Sequence, residues 1–486
     1  MSDVVQRLWG FCHTLRHDGI DYGDYIEQIT YLLFLKMADE RGKELPLTGS
    51  MPDERGFELP PGYPWPELAR LSGTELLDGY TNTLRRLSRQ PGTLGAIYAE
   101  AQSRFNNAVN LKRLITLIEE TEWTLLDVDV KAQAYEGLLE KAASEGKKGA
   151  GQYFTPRVLI QSIVRCMKPD PREAPDFTIS DPAAGTGGFL VAAYEWFLDQ
   201  TGRAFDRDLA PRVQNATYYG TELVARPRRL ALMNLYLHNL TAQIDRRDAI
   251  YEPFDGRRFS CILTNPPFGT KGANQAPGRE DFTIETSNKQ LNFLQHIVTS
   301  LKPGGRAAVV LPDNCLFAEQ AGRVFELVMQ DCDVHTVLRL PNGTFTPYSQ
   351  GVKANVVFLR KGLPTRATWI YDARANVPGI TKKDRPLTPE HFADFETTYG
   401  TSPNVESPRE EGERFRCFPL AEVQARDYNL DITWLKDELH EDGADLPDPA
   451  ELAAESITEL EAAIDEMQEA LRLLTNAEVG AIEAVA

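Results

Sequence analysis

Short apolar runs alternate with stretches of helical periodicity between about residue 146 and residue 360 of this 486-residue chain. Each run is short and ends at Gly, Pro or polar residues, which is the pattern of a strand buried within a sheet. Alternation of such strands with helices predicts a mostly parallel, doubly wound α/β sheet. The predicted strands are Phe177–Ser180, Ala216–Gly220, Phe259–Thr264, Arg306–Leu311, Val334–Leu340 and Asn355–Leu359.

The predicted strand Phe259–Thr264 ends at a stiff loop, Asn265-Pro266-Pro267-Phe268. Neither proline has an N–H to continue a ladder, and Pro266 keeps Asn265 out of the helical region, so the chain stays extended. The Asn265 amide is therefore expected at the carboxyl end of a strand, the edge where open α/β sheets bind ligands. A plain strand-to-loop turn is the competing interpretation. At ordinary residue frequencies the four-residue pattern arises by chance in about one chain of this length in a hundred. The other motifs must therefore decide between a ligand-binding loop and a plain turn.

A second loop, Asp181–Phe189, joins the first predicted strand to a helix that is predicted to begin at about Gly188. Glycine in this position lets a ligand approach the backbone and face the N–H groups of the helix. Leu190 stands where a dinucleotide fingerprint needs its third Gly, and the absence of a G-x-x-x-x-G-K-[ST] motif excludes a P-loop ATPase. An acid before the turn suits a ligand with a cation rather than a pyrophosphate. The loop therefore indicates some nucleoside ligand.

Two acids follow the next segments of the predicted sheet. Glu222 comes just after the second strand, where carboxylates accept hydrogen bonds from ribose hydroxyls. Asp248 follows the segment after it, where a surface acid without a ligand is the competing interpretation. A further motif lies upstream, directly before a predicted helix, and consists of Gln152, Tyr153, Phe154, Thr155 and Pro156. Its two aromatic residues are expected either to fill the core or to line a pocket.

Composition limits the classes of protein to consider. The chain has 52 Lys and Arg against 71 Asp and Glu, a net charge of −19, which argues against a protein that grips DNA with its whole surface. A nucleic-acid enzyme with this balance needs a local basic face or a partner. The scattered cysteines and histidines have neither disulfide nor metal-ligand spacing, so we expect no metal and a reducing, cytoplasmic setting. No apolar run is long enough to span a membrane, and the first residues lack the pattern of a signal peptide.

Helical patterns flank the predicted sheet on both sides. Residues 1–145 are predicted to form a helical domain, in which the apolar residues of Tyr22–Met37 follow an N-cap at Asp21 or Asp24. The sheet domain is predicted over 146–435, and the polar segment 360–420 has no assigned role. A C-terminal helix is predicted over 448–480, packed either on its own chain or, as a coiled coil, on a partner. Its apolar seam steps by three and four through Ile457, Leu460, Ile464, Met467, Leu471 and Leu474.

Together these motifs resemble those of amino-group DNA methyltransferases. Asp181–Phe189 is similar to their S-adenosylmethionine motif and Asn265–Phe268 to their catalytic motif, while Gln152–Pro156 ahead of both gives the order of the adenine-methylating gamma group. Leu15–Ile20 and Asp427–Asp431 are similar to segments of the modification subunits of Type I restriction–modification systems. The resemblance implies a Rossmann-like class I methyltransferase sheet with an N-terminal helical domain and a C-terminal coiled-coil helix.

The resemblance also implies the roles of the site residues. The Asn265 side-chain oxygen and the Pro266 carbonyl would accept hydrogen bonds from the N6 amino group of an adenine flipped out of the duplex, Phe268 would stack on that base, and Pro267 completes the catalytic set. S-adenosylmethionine is the implied cofactor. Its implied binding residues are Gln152, Tyr153, Phe154, Thr155, Pro156, Asp181, Ala183, Gly185, Thr186, Gly187, Gly188, Glu222 (at the ribose) and Asp248 (near the adenine).

The implied function is methylation of a specific double-stranded DNA site by the M subunit of a Type I complex in the prokaryotic cytosol, nucleoid-associated when on DNA. Two such chains are expected to bind one specificity subunit, and a restriction subunit joins them for cleavage. A protein-glutamine N-methyltransferase is one alternative, although it usually has Tyr as the aromatic residue and a smaller helical domain. A self-sufficient adenine DNA methyltransferase is another, but the chain offers no evident target-recognition domain. A non-enzymatic assembly protein is disfavoured because the motif residues are intact.

Overall fold

The computed structural model describes residues 10–12, 20–44, 65–90, 92–121, 123, 135–139, 155–203, 208–241, 243–268, 276–346, 351–381, 384–435, 457 and 464. The chain divides into two compact units. Unit 1 consists of Met1–Thr155 and Pro169–Ala249, and unit 2 of Pro156–Lys168 and Ile250–Ala486. Among the described ranges, no helix combines the length and the apolar character that a membrane crossing requires. The domain limits 1–145, 146–435 and 448–480 stay a prediction.

The N-terminal part of unit 1 is helical, as predicted. Asp21 starts the first helix: its side chain accepts a hydrogen bond from the Asp24 N–H at 2.7 Å, and its carbonyl accepts one from the Tyr25 N–H at 2.9 Å. The described helices are α1 (Tyr22–Glu44), α2 (Trp65–Arg70), α3 (Gly73–Leu87), α4 (Gly92–Tyr98), α5 (Ala108–Glu119), α6 (Arg157–Met167), α7 (Gly188–Gln200), α8 (Ala210–Ala216), α9 (Ala225–Leu237), α10 (Lys289–Ser300), α11 (Asn314–Phe317), α12 (Glu319–Asp331), α13 (Glu390–Tyr399) and α14 (Leu420–Gln424).

Each predicted strand overlaps an observed strand, but the prediction missed β3, β8 and β9. The strands are β1 (Ile179–Asp181), β2 (Tyr218–Thr221), β3 (Gln243–Asp245), β4 (Phe259–Thr264), β5 (Leu301–Pro312), β6 (Cys332–Arg339), β7 (Ala354–Lys361), β8 (Ala367–Asp372) and β9 (Phe415–Pro419). β3 is short, and β9 keeps several partly exposed positions, so neither has a long apolar run. The segment 360–420 therefore contributes to the sheet, although its polar, Pro-interrupted sequence did not indicate strands.

The strands of unit 1 pair in the order β3-β2-β1, and all are parallel. Asp181 pairs with Gly220 and Thr221 with Asp245, so the carboxyl ends of the three strands lie at one edge. Gly220 leaves room for its neighbours there, because a Cβ atom at this position would lie 2.6 Å from Ile244 Cδ1 and 3.0 Å from Ala184 Cβ, and both would have to shift. The parallel sheet predicted for this part of the chain is confirmed.

A buried arginine on α9 binds the N-terminal helices within unit 1. Arg229 is 2% exposed, forms an ion pair with Glu27 of α1, and donates from Nε to the Ile97 carbonyl of α4 at 2.5 Å. Its guanidinium also lies 4.9 Å from the centre of the Tyr31 ring. Removing one partner of such a buried pair costs about 3–5 kcal/mol, because the other charge is left without compensation. Arg229 therefore fixes α9 against α1 and α4.

The strands of unit 2 pair in the order β4-β5-β7-β6-β8-β9. β4 is parallel to β5 and β6 is parallel to β8, whereas β7 lies antiparallel between β5 and β6, and β9 is antiparallel to β8. α10 and α12 cover a core that contains Ile262, Leu294, Val309, Phe325 and Val357. Because β6 is antiparallel to β7, and β7 to β5, β4 and β6 run in the same direction. The carboxyl ends of β4, β5, β6 and β8 therefore lie at one edge of the sheet of unit 2 and their amino ends at the other, while β7 and β9 run the opposite way.

Parts of the predicted helical regions fall outside the described residues. Near the end of the predicted helical domain 1–145, residues 135–139 are described and helical. Of the C-terminal seam, Ile457 and Ile464 are described, and both are helical, with 55% and 50% of their surface exposed. The coiled coil itself stays a prediction.

Candidate active site

The Gly-rich loop after β1 adopts a tight conformation that depends on glycine. Asp181, the last residue of β1, accepts a hydrogen bond from the Ala183 N–H at 3.0 Å, and the Ala184 N–H donates to the Thr221 carbonyl of β2 at 2.9 Å. Gly185 and Gly187 have φ of 53° and 81°, in the left-handed region that only glycine enters without strain. The predicted helix begins at Gly188 as α7, directly after this loop. Gly187 is its N-cap and has no side chain to cover the first N–H groups, which are left to face an anionic group.

Glu222 holds this loop from the end of β2. Its Oε2 accepts a hydrogen bond from the Gly185 N–H at 2.9 Å, and its Oε1 accepts one from the Val224 N–H at 2.8 Å. Burial raises the pKa of the Glu222 carboxyl above its usual value, although the backbone N–H groups oppose this shift. Each carboxylate oxygen has a further lone pair, so the same group can still accept a hydrogen bond from a ligand hydroxyl.

Two residues near this loop were not predicted. Leu223 follows Glu222 and is 54% exposed, which is unusual for a large apolar side chain beside a buried acid at the carboxyl edge of a sheet. Asn234 of α9 is buried and donates from Nδ2 to the Thr186 carbonyl at 3.2 Å. An apolar residue directly after a strand-terminal acid was a usable signal for Leu223. The Asn234 contact joins residues that are 48 positions apart, and no local pattern indicates it.

The remaining predicted cofactor residues are less well defined. Asp248 is half-buried and lies three residues beyond the end of β3. Thr155 is half-buried in unit 1, whereas Pro156 is buried in unit 2 at the N-cap of α6. Gln152, Tyr153 and Phe154 lie outside the described residues. Unit 1 thus brings together Asp181, the Gly-rich loop and Glu222.

The Asn265–Phe268 loop leaves the carboxyl end of β4 in unit 2. Asn265 and Phe268 are half-buried, Pro266 is buried and Pro267 is exposed. The Phe268 ring meets the buried Phe345 ring edge to face, with 5.2 Å between their centres and 89° between their planes. One side of Phe268 is therefore fixed by Phe345, and its partial exposure leaves surface for a second planar group.

A buried glutamine orients the peptide in this loop. Gln290, in the first turn of α10, is 2% exposed, and its Nε2 donates to the Pro267 carbonyl at 2.5 Å. The turn is fixed by its N-cap, Asn288, which accepts a hydrogen bond from the Leu291 N–H at 3.1 Å. Within the described part of the chain, no donor reaches the carbonyl of Pro266. Gln290 was not predicted from the sequence. The one sequence feature that points to it is a polar residue at a buried position of an otherwise apolar helix face.

The residues of unit 1 fit a nucleoside that carries a charged amino-acid group. Backbone N–H groups at the start of α7 suit a carboxylate, Glu222 suits ribose hydroxyls, and the exposed Leu223 suits a base. With the rigid Asn-Pro-Pro-Phe loop of unit 2, these features define a methyltransferase that takes its methyl group from S-adenosylmethionine and acts on an amino group.

Comparison with known proteins gives the family. The model of the family "N-6 DNA Methylase" matches residues 126–442, and that of the "HsdM N-terminal domain" matches residues 4–118. The methylase subunits of the Type I restriction enzymes StySJI of Salmonella typhimurium and EcoKI of Escherichia coli are each 37% identical to this chain, over 97% of it and 95% of their own length. The chain therefore belongs to the N-6 DNA methylase family, as a relative of Type I methylase subunits, and is an adenine-specific DNA methyltransferase that uses S-adenosylmethionine.

Solved structures agree with this assignment. The crystal structure of the EcoKI M protein is 33% identical and covers 97% of this chain, with a TM-score of 0.54. A chain from a study of the assembly and conformational transition of a type I R-M system is 28% identical, covers 98% of this chain and gives a TM-score of 0.73. The modification subunit of a putative type I restriction enzyme from Vibrio vulnificus is 26% identical over 86% of this chain, with a TM-score of 0.70. The predicted fold class is confirmed, except for the C-terminal coiled coil.

Proposed function

We propose that this chain methylates the N6 amino group of adenine within a specific double-stranded DNA site, as the M subunit of a Type I restriction–modification complex. The observation that carries the proposal is the loop Asn265–Phe268 at the end of β4. Gln290 binds the Pro267 carbonyl, while no described donor reaches the carbonyl of Pro266. The Asn265 side-chain oxygen and the Pro266 carbonyl are the acceptors that we assign to the two hydrogens of the amino group.

The chemistry needs such acceptors because the adenine amino nitrogen is a poor nucleophile, its lone pair being delocalised into the ring. Hydrogen bonds from both N–H groups to Asn265 and Pro266 draw electron density back onto the nitrogen. S-adenosylmethionine supplies the methyl group as an electrophile. Positioning carries much of the remaining rate increase, and the two prolines and Gln290 supply it by keeping the loop rigid. The target adenine must leave the duplex to reach the loop, and Phe268 then stacks on it.

The cofactor residues have distinct proposed roles. Gly185–Gly188 receive the amino-acid part of S-adenosylmethionine at the start of α7, which the left-handed glycines and the uncovered N–H groups support. Glu222 binds the ribose, and Asp248 lies near the adenine, as does the exposed Leu223. We also assign Gln152–Pro156 and Asp181 to this site, on the resemblance of their motifs.

The acceptor of the methyl group separates this function from methylation of protein glutamine. We expect the complex of this chain with its specificity subunit to transfer labelled methyl groups from S-adenosylmethionine to DNA, at adenine N6. Digestion of the DNA to nucleosides and detection of N6-methyladenine measures this directly. Labelling of a protein substrate without labelling of DNA contradicts the proposal. Full activity on DNA by this chain alone indicates a self-sufficient enzyme instead.

The acidic balance of the chain supports a division of labour, in which sequence recognition and much of the phosphate contact belong to another subunit. We propose two copies of this chain for one specificity subunit, with a restriction subunit added for DNA cleavage. The C-terminal seam is the proposed contact with the specificity subunit. Its residues Ile457 and Ile464 are helical, and each exposes half or more of its surface.

Deletion of residues 450–486 is expected to abolish co-purification with the specificity subunit, because the apolar seam is removed. A sharper variant places charge in the seam, as Ile457→Asp with Ile464→Asp, and Thr458→Asp outside the seam is its matched control. Pull-down of the tagged specificity subunit measures assembly, and calorimetric titration with S-adenosylmethionine should give an unchanged affinity. Assembly that survives both the deletion and the seam variant contradicts the assignment.

A further inference from the structure

A cavity of about 420 Å³ opens in unit 2 at the amino ends of β6 and β8. It is lined by Asp333 and His335 of β6, Arg366 and Trp369 around the start of β8, and Arg409 from the segment before β9. Because β4 and β6 run in the same direction, this edge of the unit 2 sheet is opposite to the edge that carries the Asn265–Phe268 loop. The cavity is therefore separate from the catalytic loop.

One wall of the cavity is aromatic and apolar. The half-buried Trp369 ring is held from β9 by the Phe415 ring, with 4.8 Å between the ring centres and 32° between their planes. Leu363, Pro364 and Val405 continue this wall. Val405 has φ of 51°, a costly conformation for a β-branched residue that is found mainly where function requires it. A fixed, partly exposed indole in a concave site suits a planar ring.

The reachable charges of the cavity are of both signs and are not paired with each other. Burial raises the pKa of the Asp333 carboxyl, against the opposing effect of Arg409, Arg360 and Arg366. In the described ranges, neither the Asp333 carboxylate nor the Arg366 guanidinium makes a side-chain hydrogen bond or ion pair. A ligand group that contacts both side chains must offer a hydrogen-bond donor to Asp333 and an acceptor to Arg366. The polar edge of a neutral ring offers both without burying a further charge in the cavity.

The inner part of the cavity is rigid. Arg409 donates from Nη1 to Thr336 Oγ1 at 2.8 Å and from Nη2 to the Tyr399 carbonyl at 3.3 Å, and it lies 5.1 Å from the centre of the Tyr399 ring. Nδ1 of His335 lies within hydrogen-bond distance of the same hydroxyl, 2.8 Å from Thr336 Oγ1. The other ring nitrogen, Nε2, is buried and has no partner among the described residues. Burial, with Arg409 and Arg360 nearby, keeps the pKa of His335 well below its usual value, so the ring stays neutral.

We propose that this cavity binds a purine base, stacked on Trp369, with a ring or amino N–H donated to Asp333 and a ring acceptor bound by Arg366. Purines present a donor next to an acceptor on one edge, as N6–H and N7 in adenine or N1–H and O6 in guanine. Uracil does so too, with N3–H beside O4, and the preference for a purine comes from the larger ring system, which covers more of the Trp369 indole. The base has two possible sources, a free nucleotide or an unpaired base of a nucleic acid. The proposal is independent of the methyl-transfer assignment, since none of these residues belongs to the catalytic or cofactor set.

The test is equilibrium binding to the full chain, saturated with S-adenosylhomocysteine so that the cofactor site cannot take the probe. The probes are AMP, GMP, UMP, inorganic phosphate and a short single-stranded oligonucleotide with or without one purine. We expect saturable binding of AMP or GMP, weaker binding of UMP and none of phosphate. Tighter binding of the purine-containing oligonucleotide than of either mononucleotide identifies nucleic acid as the source, and the reverse order identifies a nucleotide.

Variants connect the binding to the cavity. Asp333→Asn is expected to weaken purine binding about tenfold, because the amide oxygen is a weaker acceptor than a carboxylate and the new NH2 group faces a ligand group that also donates. Trp369→Leu is expected to weaken it at least about fivefold through lost stacking, and Trp434→Leu, outside the cavity, is the matched control. Methyl transfer and the unfolding midpoint of Asp333→Asn should stay those of the parent chain. Equal binding of UMP or phosphate, no saturable binding, or unchanged binding by Asp333→Asn overturns the proposal. A different result would indicate a protein-docking site: the parent chain binds no purine, and Trp369→Leu assembles less well with the specificity subunit. That result also overturns the proposal.

Discussion

Asn265→Ala is expected to lower the rate of adenine methylation by about 10²–10³-fold, comparable to the loss of one preorganised polar group at a reacting centre. The variant removes the side-chain acceptor for one amino hydrogen and leaves the nitrogen lone pair more delocalised. The proline-stiffened backbone remains, so the loop should keep its path. Single-turnover transfer of labelled methyl groups to DNA, by the complex with the specificity subunit, measures the chemical step without product release.

Cofactor affinity is the control for this variant, because the proposed cofactor residues Gly185–Gly188 and Glu222 belong to unit 1, whereas Asn265 belongs to unit 2. We expect the dissociation constant for S-adenosylmethionine to change by less than about twofold, because a substitution at one of two independent sites has little effect on the other. A rate equal to that of the parent would remove Asn265 from the catalytic set. Equal losses of rate and of cofactor affinity would instead indicate a structural role.

Gln290→Glu is expected to give the second largest effect and to make activity depend on pH. The ionised carboxylate has no proton to donate, and it repels the Pro267 carbonyl that Gln290 now binds at 2.5 Å. A protonated Glu can donate to that carbonyl, and burial raises the pKa of a carboxyl group above its reference of about 4.3. The fraction of protonated Glu falls as pH rises through that pKa. The kcat of the variant relative to the parent should therefore be highest at the acidic end of the stable range and should decrease with rising pH.

The pH dependence of kcat distinguishes a positioning role of Gln290 from a role in folding. Gln290→Ala should lower kcat at every pH, with no recovery on acidification, because alanine donates no hydrogen bond. Gln295→Glu is the matched control: Gln295 is buried on the same helix, and its side chain bonds the backbone of Ile284 from both amide atoms at 2.9 Å. Its rate ratio to the parent should not follow the profile of Gln290→Glu. A flat ratio for Gln290→Glu contradicts the positioning role.

Local chemistry explains which parts of this site were predictable from the sequence. The Gly-rich loop and the Asn-Pro-Pro-Phe loop each follow a strand directly, and the conformational restrictions of Gly and Pro act on their own neighbours. Glu222 was predictable from its place after a strand, although its bond to Gly185 spans 37 positions. Gln290 and Asn234 were missed because their role comes from packing between distant segments, and a polar residue on an apolar helix face does not by itself indicate which group it bonds.

The fold was predictable to a similar extent and for a similar reason. Strands with long apolar runs, such as β5 and β7, are evident because they are covered on both faces. β8 begins with half-buried positions, and β9 lies at the edge of its sheet, so their sequences are mixed. Their place in the sheet depends on pairing with other strands, and the local sequence contains little information about that pairing.

Helix α9 has a consequence for how binding events influence one another. Arg229 is fixed to the N-terminal helices, Ala231 lies against Gly187, and Asn234 bonds the Thr186 carbonyl. A shift of α9 would thus change the packing of the N-terminal helices and the shape of the Gly-rich loop together. By thermodynamic linkage, a partner that favours one position of α9 changes cofactor affinity, and the cofactor changes the affinity for that partner by the same factor. Under the proposed cofactor assignment, α9 therefore couples the packing of the N-terminal helices to the affinity for the methyl donor.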